Sequence, residues 1–289
     1  MFNYKNKIIG ILGLGLSGKS AIKFFKNFSK NIIAWDDKEI VRTSILDKNE
    51  KILDLKLINN FKMLDLLFVS PGVKPSHPVI KLAKNNKVQI TGDLDVFWQE
   101  QSNKKNKFIV ITGSNGKSTV TSLIHHLLVS SNKPSNIGGN IGIPVLNLIS
   151  EKTDNYYVIE ASSFQLELVK TIKPNISILT NLSPDHLDWH GSYKKYINSK
   201  ESLFLNQNNN DLAIINIDNE ECYKVYKKIN NRKIKPKIIK ISINNKLDNT
   251  IYIDKEKVYD NLNNKNIFIG DIKDLTSLIG LHNIENILI

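Results

Sequence analysis

The densest chemistry in this 289-residue chain lies around one lysine. Ile109-Val110-Ile111-Thr112-Gly113-Ser114-Asn115-Gly116-Lys117-Ser118-Thr119 is an apolar run that ends in a glycine-rich turn, a lysine and two hydroxyls. An apolar-periodic segment follows, carrying Val120, Leu123, Ile124, Leu127 and Leu128. Strand, loop and helix in that order form a phosphate cradle. Gly113 and Gly116 let backbone approach phosphate oxygens, and the N–H groups at the helix start point at the anion. Lys117 reaches the terminal phosphates, and Ser118 can sit on Mg²⁺. The common spacing has a first glycine six residues before the lysine, where this chain has Ile111. A glycine-rich strand-to-helix turn that binds nothing is the competing reading.

Other reactive residues fall at strand ends. Tyr156-Tyr157-Val158-Ile159 is an apolar strand that ends in Glu160, an acid suited to Mg²⁺ beside a phosphate loop. Asn181 to His190 follows the strand Ile176–Thr180, where open α/β sheets place ligands. Asp185, His186, Asp188 and His190 could bind metal or move protons, but their spacing matches no zinc pattern. A turn with a helix cap at Ser192 would explain several of them. Lys200 falls on the helix expected over Tyr193–Leu205, ordinarily a surface position for a lone lysine. Near the N-terminus, Gly13-Leu14-Gly15-Leu16-Ser17-Gly18 satisfies G-x-G-x-x-G between a strand and a helix, and the next strand ends in Asp36-Asp37. That geometry suits NAD or any other nucleotide diphosphate.

These positions need two α/β units to hold them. Residues 1–95 alternate strand and helix, as a Rossmann-like parallel-sheet domain does. The polar stretch Gln99–Lys107 marks the boundary region, and 96–289 reads as a P-loop-type α/β ATPase domain. Residues 244–266 are polar and asparagine-rich, and read as edge hairpins or loops. The apolar stripe of Leu281–Ile289 is still running at the last residue, which suggests a fragment.

A single cysteine, Cys222, excludes an internal disulfide framework and fits a reducing, cytoplasmic setting. No apolar run approaches the roughly 18 residues of a membrane span, and the start of the chain does not develop into a signal peptide. The net charge is +12, from 40 Lys and Arg against 28 Asp and Glu. The lysines are dispersed among asparagine and isoleucine, so the charge favours an anionic small substrate over nucleic acid.

Taken together, these stretches resemble the Mur ligases, the ATP-dependent amino-acid ligases of peptidoglycan synthesis. The resemblance covers essentially the whole chain. It rests on Gly13–Gly18 with Ser70-Pro71-Gly72, on Thr112–Thr119 as the family's short phosphate loop, and on Asn140-Ile141-Gly142. It rests further on Glu160–Glu167, on Asn181–His190 with Lys200, and on Gly280–Asn286. The string Glu160-Ala161-Ser162-Ser163-Phe164-Gln165-Leu166-Glu167 favours the branch that adds D-glutamate to UDP-N-acetylmuramoyl-L-alanine.

The resemblance implies that the first domain holds the UDP-sugar. Leu16 and Ser17 would lie at the diphosphate, Asp36 and Lys38 at the uracil, and Gly72 near the phosphates. Asp37 departs from the family pattern. Gly113, Ser114, Asn115, Gly116, Lys117, Ser118 and Thr119 would hold ATP, and Asn283 and Asn286 would touch its adenine. Ser118, Glu160 and His186 would bind Mg²⁺. Lys200 would be carbamylated to serve a second Mg²⁺, and Asn140 and Gln165 would contact the muramoyl part. Lys117, His186 and Lys200 would be the catalytic set of a monomeric enzyme. The family has a third, amino-acid-binding domain, so the expectation is a chain that lacks it and does not ligate D-glutamate by itself. The competing functions are a related Mur or folylpolyglutamate-type ligase with another amino acid, an NAD-dependent oxidoreductase, and a non-enzymatic nucleotide-binding module.

Overall fold

The structure is a computed structural model that describes residues 3–43, 51–262, 265–274 and 281–289. The first sheet is built from β1 (Ile9–Leu12), β2 (Ile32–Trp35), β3 (Lys51–Ile52), β4 (Leu66–Val69) and β5 (Gln89–Thr91). Its order is β3-β2-β1-β4-β5 and every pairing is parallel. That is the Rossmann half-sheet order, with the β1–β4 reversal next to the glycine turn. β1 and β4 are buried on both faces, as parallel strands covered by helices are. The helices here are α1 (Leu16–Phe25), α2 (Glu39–Thr43), α3 (Ile58–Phe61) and α4 (Pro78–Asn85). α1 lies close on β1 because Gly18 has no side chain: a Cβ there would overlap the Gly13 carbonyl.

α5 (Asp93–Gln101) leads into the second sheet. Its parallel part is β6 (Lys107–Thr112), β7 (Ser135–Gly139), β8 (Tyr156–Glu160), β9 (Ile176–Leu179), β10 (Leu212–Asn216), β11 (Lys237–Ser242) and β12 (Thr250–Asp254). β13 (Lys257–Asp260) and β14 (Ile267–Asp271) extend it antiparallel. The order is β14-β13-β12-β11-β10-β9-β6-β8-β7. Connecting helices are α6 (Lys117–Ser130), α7 (Ser163–Glu167), α8 (Leu187–His190), α9 (Tyr193–Glu201), α10 (Glu220–Asn230) and α11 (Leu281–Leu288). The hairpin expectation for the asparagine-rich stretch is met by β12–β14.

One expectation needs correction. The helix expected over Tyr193–Leu205 stops at Glu201 and tightens into a 3₁₀ turn at Ser202–Phe204. Ser202 Oγ donates to the Ser199 carbonyl there, and the Arg232 guanidinium takes the Phe204 and Leu205 carbonyls. These side-chain donors satisfy carbonyls that a continuing helix would have used. The Gly- and Asn-rich Ser135–Gly139 is the edge strand β7, paired in register with β8.

One apolar cluster runs through both sheets. It joins Phe24 and Phe25 of α1 to Phe97 of α5, Phe108 of β6, Tyr157 of β8 and the 3₁₀ turn Val145–Leu148. Phe97 meets Tyr157 edge-on at 5.1 Å, and Phe108 stacks on Tyr157 at 5.5 Å. Each such buried ring contributes on the order of 1.5–3 kcal/mol. Polar contacts follow the same seam: Ser20 Oγ to Asn147 Oδ1 at 2.8 Å, and Lys74 Nζ to Asp188 Oδ2 at 3.0 Å.

Candidate functional site

The phosphate loop connects β6 to α6 at the C-terminal edge of the second sheet. Gly113 has φ of +152° and a Cβ there would overlap Thr180 Oγ1. Gly116 stands in the left-handed region at φ +80° as the residue before α6, with no side chain capping the helix. The loop is held from outside. Ser114 N donates to the Asn181 carbonyl, Asn115 N to Asn181 Oδ1, and Thr180 Oγ1 to the Asn115 carbonyl. Ser114 Oγ lies 2.7 Å from Tyr196 Oη. Asn181, at the end of the strand before the polar cluster, is thus a shaping residue of the loop.

Lys117 Nζ folds back onto the Ser114 carbonyl at 2.7 Å. Its pKa is lowered by burial, against the pull of Glu160 and Asp185. Ser118 Oγ donates to Glu160 Oε2 at 2.7 Å, and Asn140 Nδ2 donates to Glu160 Oε1 at 2.8 Å. Glu160 is 2 % exposed and has no ion pair among the described residues. A buried carboxylate held by a hydroxyl and an amide, with no ion pair among the described residues, suits Mg²⁺, which takes one or two carboxylates plus substrate phosphates. Among the described residues no group of three or more His, Cys, Asp and Glu forms a metal cluster on its own. A metal held at Glu160 would therefore take part of its coordination from a nucleotide and water.

Lys200 departs from the surface position expected of a helix lysine. It is 2 % exposed on α9, and Nζ donates to the Gly113 carbonyl at 2.7 Å and to Thr112 Oγ1 at 3.4 Å. Burial, then the neighbouring charge of Lys117, brings its pKa down to about 7. His186 is less engaged. It sits at φ +50° before α8, is within 3.4 Å of Asp185, and rests on the Phe164 ring at 4.7 Å. Among the described residues it makes no hydrogen bond or ion pair with Glu160, Ser118 or Lys200. His190 is buried against Ser163 Oγ at 2.9 Å, and burial drives its pKa to about 4. It serves packing more than proton transfer at neutral pH. Ser192 caps α9 by accepting from Lys195 N.

The second feature is a cleft of about 920 Å³ between the two sheets. Leu16, Ser17, Asp36, Lys38, Gly72, Asn140 and Gln165 all line it. Asp36 Oδ2 accepts from Leu14 N at 2.8 Å, which ties the end of β2 to the glycine turn. Asp37, for which sequence reasoning had no role, receives Trp35 Nε1 and lies 3.0 Å from His77 Nε2 and from Lys56 Nζ. Partial burial would raise its pKa, but those hydrogen bonds outweigh it and hold the carboxyl near 2.

Asn286 lies on α11 against the phosphate loop, where a Cβ on Gly116 would overlap its amide. Asn283 is half-buried on the same helix. Gly280 lies outside the described residues. Asp93 was missed by sequence reasoning altogether. It is 1 % exposed at the start of α5, and it binds both Ser17 and Gln165. A lone Asp at a helix N-terminus reads as an ordinary cap, so nothing in the sequence singled it out.

Comparison with known proteins agrees with this geometry. The Mur ligase middle domain family model matches residues 111–289, and the Mur ligase MurD-like, N-terminal domain matches 7–92. A UDP-N-acetylmuramoylalanine–D-glutamate ligase of Rickettsia bellii is 37% identical over 98% of this chain and 62% of the relative. The protein of the same name from Caulobacter vibrioides is 34% identical, over 98% of this chain and 61% of its own length. The chain thus spans about three-fifths of the length of these relatives. A solved UDP-N-acetylmuramate:L-alanyl-gamma-D-glutamyl-meso-diaminopimelate ligase from Neisseria meningitides shares the fold. Its TM-score is 0.59 at 17% identity, over 98% of this chain and 91% of that one. A two-sheet architecture joined at a cleft, a short phosphate loop and matches over both halves lead to one assignment: the chain belongs to the Mur ligase family.

Proposed function

We propose that the whole protein is the ATP-dependent ligase that adds D-glutamate to UDP-N-acetylmuramoyl-L-alanine in peptidoglycan synthesis. The observation that carries this is the double use of Glu160. Asn140, which lines the cleft, holds one of its oxygens, and Ser118 of the phosphate loop holds the other. A carboxylate ligand in the cleft and a nucleotide on the loop would then meet within one side chain of each other. The D-glutamate assignment is carried over from the names of the similar proteins.

In this reading residues 1–95 are the UDP-substrate domain and 96–289 the ATP-binding domain. Leu16, Ser17 and Gly72 face the diphosphate, Asp36 and Lys38 the uracil, and Asn140 and Gln165 the muramoyl group. The nucleotide lies on Gly113–Thr119, with Asn283 and Asn286 at the adenine. A carboxylate is a poor acyl donor, so the L-alanine carboxylate attacks the γ-phosphate and an acyl phosphate forms with ADP as leaving group. Lys117 and the N–H groups at the start of α6 offset the charge that spreads over the transferring group. The D-glutamate amine then displaces phosphate through a tetrahedral intermediate. Ser118, Glu160 and His186 would hold Mg²⁺, which supplies charge neutralisation when bound. Lys200, carbamylated, would serve a second Mg²⁺. The buried, low-pKa amine supports this, because only a neutral amine adds CO₂. The protein works as a cytoplasmic monomer, where ATP and UDP-sugars are available. Among the described residues no helix is long and apolar enough to cross a membrane.

Binding calorimetry tests the reading on this chain. UDP-N-acetylmuramoyl-L-alanine and Mg·ADP should each bind, and NADH should not. On the whole protein, product mass with D-glutamate, L-lysine and diaminopimelate offered in turn should change with D-glutamate alone. Tight NADH binding without UDP-ligand binding would sink the proposal in favour of an oxidoreductase.

A further inference from the structure

Asp93 stands behind the cleft wall, not in it. Its Oδ2 accepts from Ser17 Oγ at 3.0 Å and from Gln165 Nε2 at 3.1 Å, and its Oδ1 accepts from Leu94 N at 2.7 Å. Ser17 belongs to the glycine turn of the first sheet, Gln165 to the helix that follows β8 of the second. Both line the cleft. One carboxylate oxygen therefore joins the two walls. We propose that Asp93 is a positioning residue for the ligand of this cleft, a sugar acid linked to a nucleoside diphosphate, and that it acts through Ser17 and Gln165. The substrate class rests on the functional reading above.

The chemistry favours a carboxylate here over a cheaper side chain. Asp93 is 1 % exposed and has no ion pair among the described residues, and an unpaired buried carboxylate is costly. An asparagine would fill the space, but whichever way its amide turned, the nitrogen would oppose a donor, Gln165 Nε2 or Leu94 N. Only an acceptor-only group receives Ser17, Gln165 and Leu94 N together. The consequences differ at the two partners. With its hydroxyl tied back, Ser17 leaves its backbone N–H free for an anion at the start of α1, where no side chain caps the helix. Gln165 has Oε1 held by Ser162 N at 3.1 Å and Ser162 Oγ at 3.2 Å. With one Nε2 hydrogen on Asp93, the amide is pinned at both ends. Its remaining N–H is left for the ligand. A side chain already in its bound orientation loses less entropy on binding.

A merely structural Asp93 would only hold Leu94 N in the first turn of α5 and do nothing selective. Calorimetry on the 289-residue chain separates the two. Asp93→Ala is expected to weaken UDP-N-acetylmuramoyl-L-alanine about tenfold, the scale of a lost charge-assisted hydrogen bond, and to leave ADP affinity within about twofold. In an S17A/Q165A background the same substitution should have little further effect, because its targets are gone. Asp93→Asn keeps the volume and should show the same selectivity with a parent-like melting temperature, so it replaces Asp93→Ala if that variant does not fold. Equal loss for both ligands, no loss, or full additivity with S17A/Q165A overturns the proposal while leaving the functional reading intact. A parent chain that binds ADP but no UDP-ligand overturns the functional reading, and this proposal with it.

Discussion

Lys200 shows how far a residue's surroundings change its chemistry. An exposed lysine is a solvated cation with an ordinary pKa of 10.5, but this one is enclosed beneath the phosphate loop and titrates near 7. Its bonds to the Gly113 carbonyl and Thr112 compensate part of the desolvation. The folded state binds the Lys200 proton less tightly than the unfolded state does. The resulting penalty on folding is absent above about 10.5, grows as pH falls from there toward about 7, and is constant below. Lys200→Met removes that dependence, so the difference in urea midpoint between parent and variant should vary with pH across that window and level off below it. A difference independent of pH between 7 and 10 would show that Lys200 is not desolvated as described. Isotope-edited NMR of the parent under ¹³CO₂ should show a carbamate signal that Lys200→Met lacks.

At the scale of elements, the site depends on how closely strands, turns and helices approach. The turn after β6 passes so near Thr180 that only glycine fits at 113, and its φ of +152° is strained for any L side chain. Gly113→Ala should therefore destabilise the protein by about 1–3 kcal/mol and displace the carbonyl that Lys200 uses. Thermal denaturation together with ADP titration checks this. An unchanged melting temperature with unchanged ADP affinity would mean that the loop has room the structure does not show. α7 makes the same point through its capping box: Ser162 Oγ accepts from Gln165 N while Gln165 Oε1 accepts from Ser162 N. The side chains that start the helix also aim Gln165 at the cleft and at Asp93.

At the scale of the whole molecule, the two sheets share one apolar cluster and a polar seam. The Lys74–Asp188 pair at the mouth of the cleft is exposed on both sides, so water screens it and it adds little. Most of the coupling is therefore apolar, through α1, α5 and the Val145–Leu148 turn. The two halves should unfold together. In urea, fluorescence from Trp35 of the first sheet and Trp189 of the second, each read in variants with the other tryptophans replaced by Phe, should give coincident transitions. Separated midpoints would show two independent units.

Most of this molecule's frame was legible along the chain, because strand-turn-helix order, glycine position and acidic strand ends are local properties. The two parallel units, the phosphate loop, Glu160, the Gly13–Gly18 turn and the hairpins of the asparagine-rich stretch all follow from segments of a few residues. β3 pairs only Lys51 and Ile52 with Ile33 and Ala34, and β7 has one apolar side chain, Ile137, and ends in two glycines, so neither carries a period to read. What only the tertiary structure decided is which residues share an environment. Lys200 and Asp93 look like ordinary helix residues in sequence, and burial turned one into a near-neutral amine and the other into an unpaired carboxylate behind the cleft. His186 and His190 stand four positions apart, yet one is exposed on Phe164 and the other buried against Ser163. Electrostatics depends on distance and solvent in three dimensions, and chain order records neither.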